Sequence, residues 1–212
     1  MSDTGTGNHL DNVYASKSAD EVAKGYDRWA ETYDQDMGAS GYRHPTICLA
    51  LISRYIKTDN AAILDAGAGT GLIGEWLRII SYRELVALDA SEGMLEVARR
   101  KDIYDELHQG FMGKTLPFDD NQFTGAVSAG VFTLGHVGPE GLDDLLRVVR
   151  AGGFIVLTIK DRLLAETDFR QHIDKLCGDG YCRVVEETSS YISIPGEAEQ
   201  STSRAFVLEV LR

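Results

Sequence analysis

Between Ile63 and Gly71 the chain reads Ile-Leu-Asp-Ala-Gly-Ala-Gly-Thr-Gly, an apolar run that ends in a carboxylate and passes into alternate glycines, Gly67, Gly69 and Gly71. Glycines between a strand and a helix let a ligand approach the backbone closely, and the helix that follows presents free N–H groups. Asp65 sets the sign of that ligand. A carboxylate at the strand's end repels a pyrophosphate and attracts a cation, so positive charge is expected beside the loop. A second acid, Asp89, closes the next apolar run in Leu88-Asp89-Ala90-Ser91. Its two oxygens can accept from both hydroxyls of an adenosine ribose. An acid at a helix start is also stabilised by the dipole alone, but the glycine loop one strand away favours the ribose. Met94, one turn into that helix, is placed to cover an adenine face, although a helical Met is commonly core.

The segment also satisfies G-x-G-x-x-G over Gly69–Gly74, with Asp89 20 residues after Gly69, the spacing of a dinucleotide site. In that pattern the first glycine directly follows its strand, whereas here Asp65 and Gly67 intervene. A nicotinamide-dependent oxidoreductase is therefore the weaker alternative. Further on, the run Ala129 to Leu134 precedes Gly135-His136. Ligands of open α/β sheets meet outside the carboxyl ends of the strands, so Gly130 is expected to leave room for close approach and Phe132 to wall the pocket. His136 is expected at the same rim, where an imidazole accepts a proton from a hydroxyl, thiol or amine near neutral pH. Its competing role is a loop histidine bonded to a carbonyl.

These residues need elements that bring strand ends together. Ser18 and Glu21 have capping-box spacing, and Val22, Tyr26, Trp29, Tyr33 and Met37 recur at helical steps. Pro45 opens a second helix, with apolar residues from Ile47 to Ile56. Strands are then predicted over 61–65, 84–89, 107–111 and within 124–134. Helices are predicted from the glycine loop to about Ile80, from Ser91 to about Lys101, from Pro139 to about Arg150, and over 163–176. The run Phe154–Ile159 does not alternate, which predicts a strand buried on both faces of a parallel sheet. Two β-rich segments, 183–194 and 204–211, flank Pro195-Gly196 and predict a C-terminal antiparallel hairpin. The fold class is α/β, a doubly wound Rossmann-like sandwich on a mostly parallel seven-stranded sheet. Residues 1–16 are expected to be a flexible tail and 17–212 a single domain.

Of the 212 residues, 43% are hydrophobic and 25% charged, an ordinary globular balance. No apolar run reaches the roughly 18 residues of a membrane span, and Met1 to Asn12 lacks the apolar core of a signal peptide. The 21 Lys and Arg against 33 Asp and Glu leave a net charge of −12. That charge repels nucleic-acid phosphates and anionic lipid, so neither partner is expected. Cys48, Cys177 and Cys182 form no CxxC pair, consistent with a reduced, cytoplasmic compartment.

The string from Asp65 to Gly71, with Asp89 after the next strand, resembles the class I S-adenosylmethionine-dependent methyltransferases, whose cofactor carries a sulfonium and an ammonium. Tyr26-Asp27-Arg28-Trp29-Ala30, Tyr33-Asp34-Gln35-Asp36, Gly93-Met94-Leu95 and Gly135-His136 are similar more narrowly to the Williams–Beuren-syndrome-region methyltransferase-like proteins and their bacterial relatives. The resemblance implies methyl transfer from S-adenosylmethionine to a small-molecule acceptor, S-adenosylhomocysteine as product, and no metal. It implies Asp65, Ala66, Gly67, Gly69 and Gly71 beside the methionine and ribose, Asp89 on the ribose hydroxyls, Ala90 and Met94 at the adenine, and Gly130 by the methyl. Many members hold the adenine amine with an acid after the third strand. Here that stretch is Gly110-Phe111-Met112-Gly113, so Phe111 and Met112 give apolar contact instead. Residues 17–43 are implied to form a lid carrying Tyr26 and Tyr33. From their positions, Tyr42 and His44 on the loop that follows and Phe132 are expected as acceptor contacts, with His136 the candidate base. The alternative is a regulatory or partner protein that binds S-adenosylmethionine without turnover.

Overall fold

The computed structural model describes residues 18–59, 61–195 and 202–212; the expected tail over 1–16 and Gly196 of the expected turn lie outside them. Helix α1, Ala19–Ser40, starts at the predicted cap: Ser18 is extended and its side chain accepts the Glu21 N–H at 3.2 Å. Helix α2, His44–Tyr55, carries Pro45 in its first turn, where a missing N–H breaks no helical bond. The alternation follows as β1 (Ala62–Ala66), α3 (Leu72–Ile79), β2 (Glu84–Asp89), α4 (Glu92–Arg100), β3 (Glu106–Gln109), β4 (Phe123–Phe132), α5 (Glu140–Val148) and β5 (Val149–Lys160). The chain ends through α6 (Asp161–Glu166), α7 (Phe169–Gly178), β6 (Cys182–Glu187), β7 (Tyr191–Ile192) and β8 (Thr202–Val210).

The strands form one sheet in the order β3-β2-β1-β4-β5-β8-β6, with the two-residue β7 also pairing β8. Strands β1 to β5 are parallel, and β8 lies antiparallel between β5 and β6. From β1 the chain builds outward through β2 and β3, then returns to place β4 on the other side of β1. That reversal opens a crevice at the carboxyl ends of β1 and β4. Strand β5 is buried on both faces as its sequence predicts. Ile155, Leu157 and Ile159 pack with Leu142 and Leu145 of α5 and Phe169 and Ile173 of α7. Val156 packs on the opposite face with Ile52 of α2, Leu77 of α3 and Leu95 of α4.

Several elements differ from the sequence reading; β3 ends at Gln109 and β5 begins already at Val149. The single helix expected over 163–176 is two, because the Thr167 hydroxyl donates to Leu163 O at 2.6 Å and accepts from Phe169 N at 3.2 Å. That side chain ends one helix and starts the next. The helix expected to reach Arg150 stops at Val148, since Val149 is already extended. The extra strand, β7, brings the count to eight. Among the described residues no helix is long and apolar enough to cross a membrane.

Candidate active site

The crevice at the switch point holds a cavity of about 140 Å³ with a smaller annex of about 40 Å³. Its floor is the loop after β1. The N–H groups of Gly67 and Ala68 both donate to Leu88 O, at 2.7 and 3.0 Å, which pins the loop to β2. Gly67 has φ +81, and a Cβ there would overlap Val131 Cγ2, so only glycine lets this loop pass beneath the end of β4. Gly69 also lines the cavity, and a Cβ on it would meet nothing within 4 Å. Two residues expected beside the ligand do not line the cavity or its annex. Ala66 is fully buried in the core, and Gly71 caps α3 against Ile103 and Tyr104.

Asp89 ends β2 in the cavity wall. Its Oδ2 accepts the Gly69 N–H at 2.7 Å and its Oδ1 the Ser91 N–H at 2.8 Å, so each oxygen is fixed and retains a lone pair. Burial raises its pKa, and those backbone donors work against the shift. Ser91 caps α4 as predicted, accepting from Met94 N at 3.1 Å. The apolar side beside Asp89 is made by Ala90, Met94, Phe111 and Met112.

Asp65 is 3% exposed and lines the annex. Its Oδ2 accepts the Tyr104 hydroxyl at 2.6 Å, and no Lys or Arg among the described residues lies within ion-pair distance. Desolvation raises its pKa to about 7, with the nearby Asp89 adding to the shift. Tyr104 carried no signal in sequence, because the contact crosses from the segment before β3 to the end of β1.

Helix α1 roofs the cavity with Ala19, Val22, Ala23, Tyr26 and Tyr33. Two acids seven residues apart, two helical turns, tie it down. Asp27 Oδ1 accepts from Ser91 Oγ at 2.6 Å and Gly93 N at 2.9 Å. Asp34 accepts from the Thr70 hydroxyl in the glycine loop and pairs with Lys101 at 2.6 Å. Both acids stand in the string that carries the resemblance, yet their helical spacing was the one hint of this role. Asp27→Ala should speed amide exchange over the first half of α1 by about 5- to 30-fold, the loss of two hydrogen bonds. Exchange in β4 and β5 should not change; mass spectrometry of exchanged peptides reads both.

At the end of β4, Ala129, Gly130 and Val131 line the cavity while Phe132 does not. Phe132, expected as a pocket wall, is fully buried against Phe169 at 5.4 Å between centroids. Register explains it: Ser128 to Phe132 pairs with only Leu157 to Ile159, so the extra residues bulge toward the cavity and Phe132 returns to the core. The space beside Gly130 is also assigned differently. Its φ is +78, and a Cβ there would overlap the Tyr42 hydroxyl, so the glycine seats Tyr42. His44 stands behind, 2% exposed, with Nδ1 2.7 Å from the Tyr191 hydroxyl. Burial and Lys160 lower its pKa to about 3, so it is a neutral, structural group and not an acceptor contact. Tyr42 itself lines both the cavity and the annex.

His136 does reach the cavity. Its Nδ1 is 2.8 Å from the Thr133 hydroxyl, its ring meets Tyr26 edge-on at 6.4 Å, and burial lowers its pKa. Among the described residues no three His, Cys, Asp or Glu side chains gather as they would around a metal ion.

Residues 64–157 match the family model described as a methyltransferase domain. Human Methyltransferase-like protein 27 is 33% identical over 138 residues, covering 64% of this chain and 56% of that protein. Demethylmenaquinone methyltransferase of Clavibacter sepedonicus is 34% identical over 148 residues, covering 67% and 59%. The chain thus spans less than two thirds of the length of these relatives. An S-adenosylmethionine-dependent methyltransferase from Thermotoga maritima shares the fold, with a TM-score of 0.62 at 16% identity over 88% of this chain and 98% of that one.

Proposed function

We propose that the chain is a class I S-adenosylmethionine-dependent methyltransferase that binds S-adenosylmethionine in the crevice under α1 and methylates a small-molecule acceptor. The observation that carries this reading is Asp89, a carboxylate fixed by two backbone N–H groups in the cavity wall, next to the open face of Gly69. The cofactor supplies an electrophilic methyl on a sulfonium. The lining suits it: Asp89 accepts from ribose hydroxyls, Met94, Phe111 and Met112 cover the adenine, and Asp65 offers a buried carboxylate to the ammonium. Gly69 keeps the floor open to the ribose and methionine, and Gly67 lets the loop run beneath the end of β4. Tyr26 and Tyr33, on an α1 that serves as a lid, exclude water and hold the acceptor in line, which is where most of the rate arises. A small acceptor is favoured by the modest volume of the cavity under α1, about 140 Å³, and by the net charge of −12, which disfavours nucleic acid.

S-adenosylhomocysteine at about 100 times its Kd should raise Tm by about 5–10 °C, and labelled methyl should pass from S-adenosylmethionine to a member of a small-molecule panel. Stabilisation by reduced nicotinamide nucleotides in place of S-adenosylhomocysteine would overturn the reading.

Asp65 makes the binding pH-dependent with a definite sign. Its carboxyl keeps a proton up to about pH 7 in the fold but only to the ordinary 3.8 in the unfolded chain. The ligand-free protein therefore loses stability as pH rises from about 4 to 7. An ammonium beside Asp65 favours the ionised form, so binding below pH 7 must first remove that proton. Affinity for S-adenosylhomocysteine should rise about tenfold per unit from about pH 5 to 7 and then level off. Calorimetric titration across that range reads the slope, and Asp65→Asn should flatten it.

A further inference from the structure

We propose that the acceptor is an organic amine, received in an aromatic recess made by Tyr26, Tyr33 and Tyr42, and that acceptors bearing a carboxylate or phosphate are refused. This deepens the methyltransferase reading and rests on it. Tyr33 and Tyr42 line both the cavity and its annex, and Tyr26 lines the cavity. The Tyr26 ring stacks on Trp29 and stands 6.3 Å from Tyr33 and 6.4 Å from His136, meeting them at 68° and 65°, and the Tyr42 hydroxyl lies against Gly130, so the three tyrosines border the space at the end of β4. Aromatic faces attract a cation through their quadrupole, most strongly where water is excluded.

Charge points the same way. Among the described residues no Lys or Arg lines the cavity or the annex, and the charged side chains that do are Asp89 and Asp65. The donor carries a sulfonium, an ammonium and a carboxylate, one net positive charge against two acids, so the loaded crevice keeps a negative balance. An anionic acceptor would be buried there with no cation to pair, an expensive arrangement. An ammonium would meet tyrosine faces and a favourable field. A nearby histidine does little to reverse this, because burial lowers the His136 pKa and so disfavours its cationic form.

The step balances without a further reactant. An amine that arrives protonated loses one proton through His136 to water. Its nitrogen lone pair then forms the bond to the methyl carbon as the carbon–sulfur pair returns to sulfur, and the product leaves as the methylated ammonium.

The proposal is tested by binding alone. The protein is loaded with S-adenosylhomocysteine and titrated calorimetrically with benzyltrimethylammonium and with phenylmethanesulfonate, which are similar in size and opposite in charge. The cation should bind about tenfold tighter or more. Tyr33→Leu and Tyr42→Leu should each weaken it by about 2- to 30-fold, and Tyr33→Phe, which keeps the ring, should change it less than about twofold. Equal binding of the two probes, no binding of the cation, or unchanged binding in both leucine variants would overturn the proposal. The contrast in the wild-type protein decides the matter even where a variant fails to fold. The loading titration separates the two readings: if S-adenosylhomocysteine itself does not bind, the methyltransferase reading falls and takes this one with it.

Discussion

Replacing Asp89 with alanine should lower affinity for S-adenosylhomocysteine by about 10- to 150-fold, the loss of charge-assisted bonds worth about 1.5–3 kcal/mol. The same carboxylate accepts the N–H groups of Gly69 and Ser91, so the substitution should also lower Tm by loosening the glycine loop and the start of α4. Asp89→Asn separates the two effects. The amide keeps one acceptor oxygen of nearly the same shape but brings a donor where the other oxygen stood. It should recover part of the lost Tm while affinity stays low, because two hydroxyl donors need two acceptors. Calorimetry with parallel thermal melts reads both quantities. An alanine variant that melts like the wild type and binds S-adenosylhomocysteine with unchanged affinity would remove Asp89 from the site.

Asp89 was legible before the structure because its constraints are local. The strand Glu84–Asp89 has the predicted limits, and the cap at Ser91 fixes where the acid points. Local chemistry of this kind also placed Ser18, Pro45 and the doubly buried β5. What escaped were features set by distant segments. The bulge in β4 depends on its register with β5, and it decides that Gly130 faces the cavity while Phe132 joins the core. The residue that fills the space beside Gly130, Tyr42, comes from a loop 88 positions earlier. His44 looks from its neighbours like a residue of the same loop available to a ligand. It is instead consumed by Tyr191, across 147 positions, where burial holds the ring neutral. The acids of α1 show an intermediate case. Their seven-residue spacing puts Asp27 and Asp34 on one face, but the partners in α4 and the glycine loop appear only when the helix docks.

The largest expected effect on turnover belongs to His136. It is held from two sides: its backbone N–H donates to Thr133 O at 3.2 Å, and its Nδ1 faces the Thr133 hydroxyl at 2.8 Å. With Nδ1 facing that hydroxyl, the tautomer that donates to Thr133 leaves Nε2, a buried atom, as the ring's basic nitrogen. If His136 takes the acceptor's proton, His136→Ala should lower kcat by about 10²- to 10⁴-fold. S-adenosylhomocysteine affinity should change little, because Asp89 and the glycine loop make those contacts. Burial adds a signature in pH. A lowered pKa keeps the imidazole neutral, hence competent, to a more acidic value than a solvent-exposed histidine, so the step in the kcat profile that His136→Ala removes should lie below the ordinary 6.5. Thr133→Val leaves the ring in place but removes its orienting hydroxyl, and should lower kcat less than His136→Ala while raising KM little. An alanine variant that keeps full turnover from pH 6 to 9 would leave alignment by the tyrosine recess as the whole of the catalysis. Loss of turnover together with Tm and S-adenosylhomocysteine binding would instead make His136 a brace of the loop after β4.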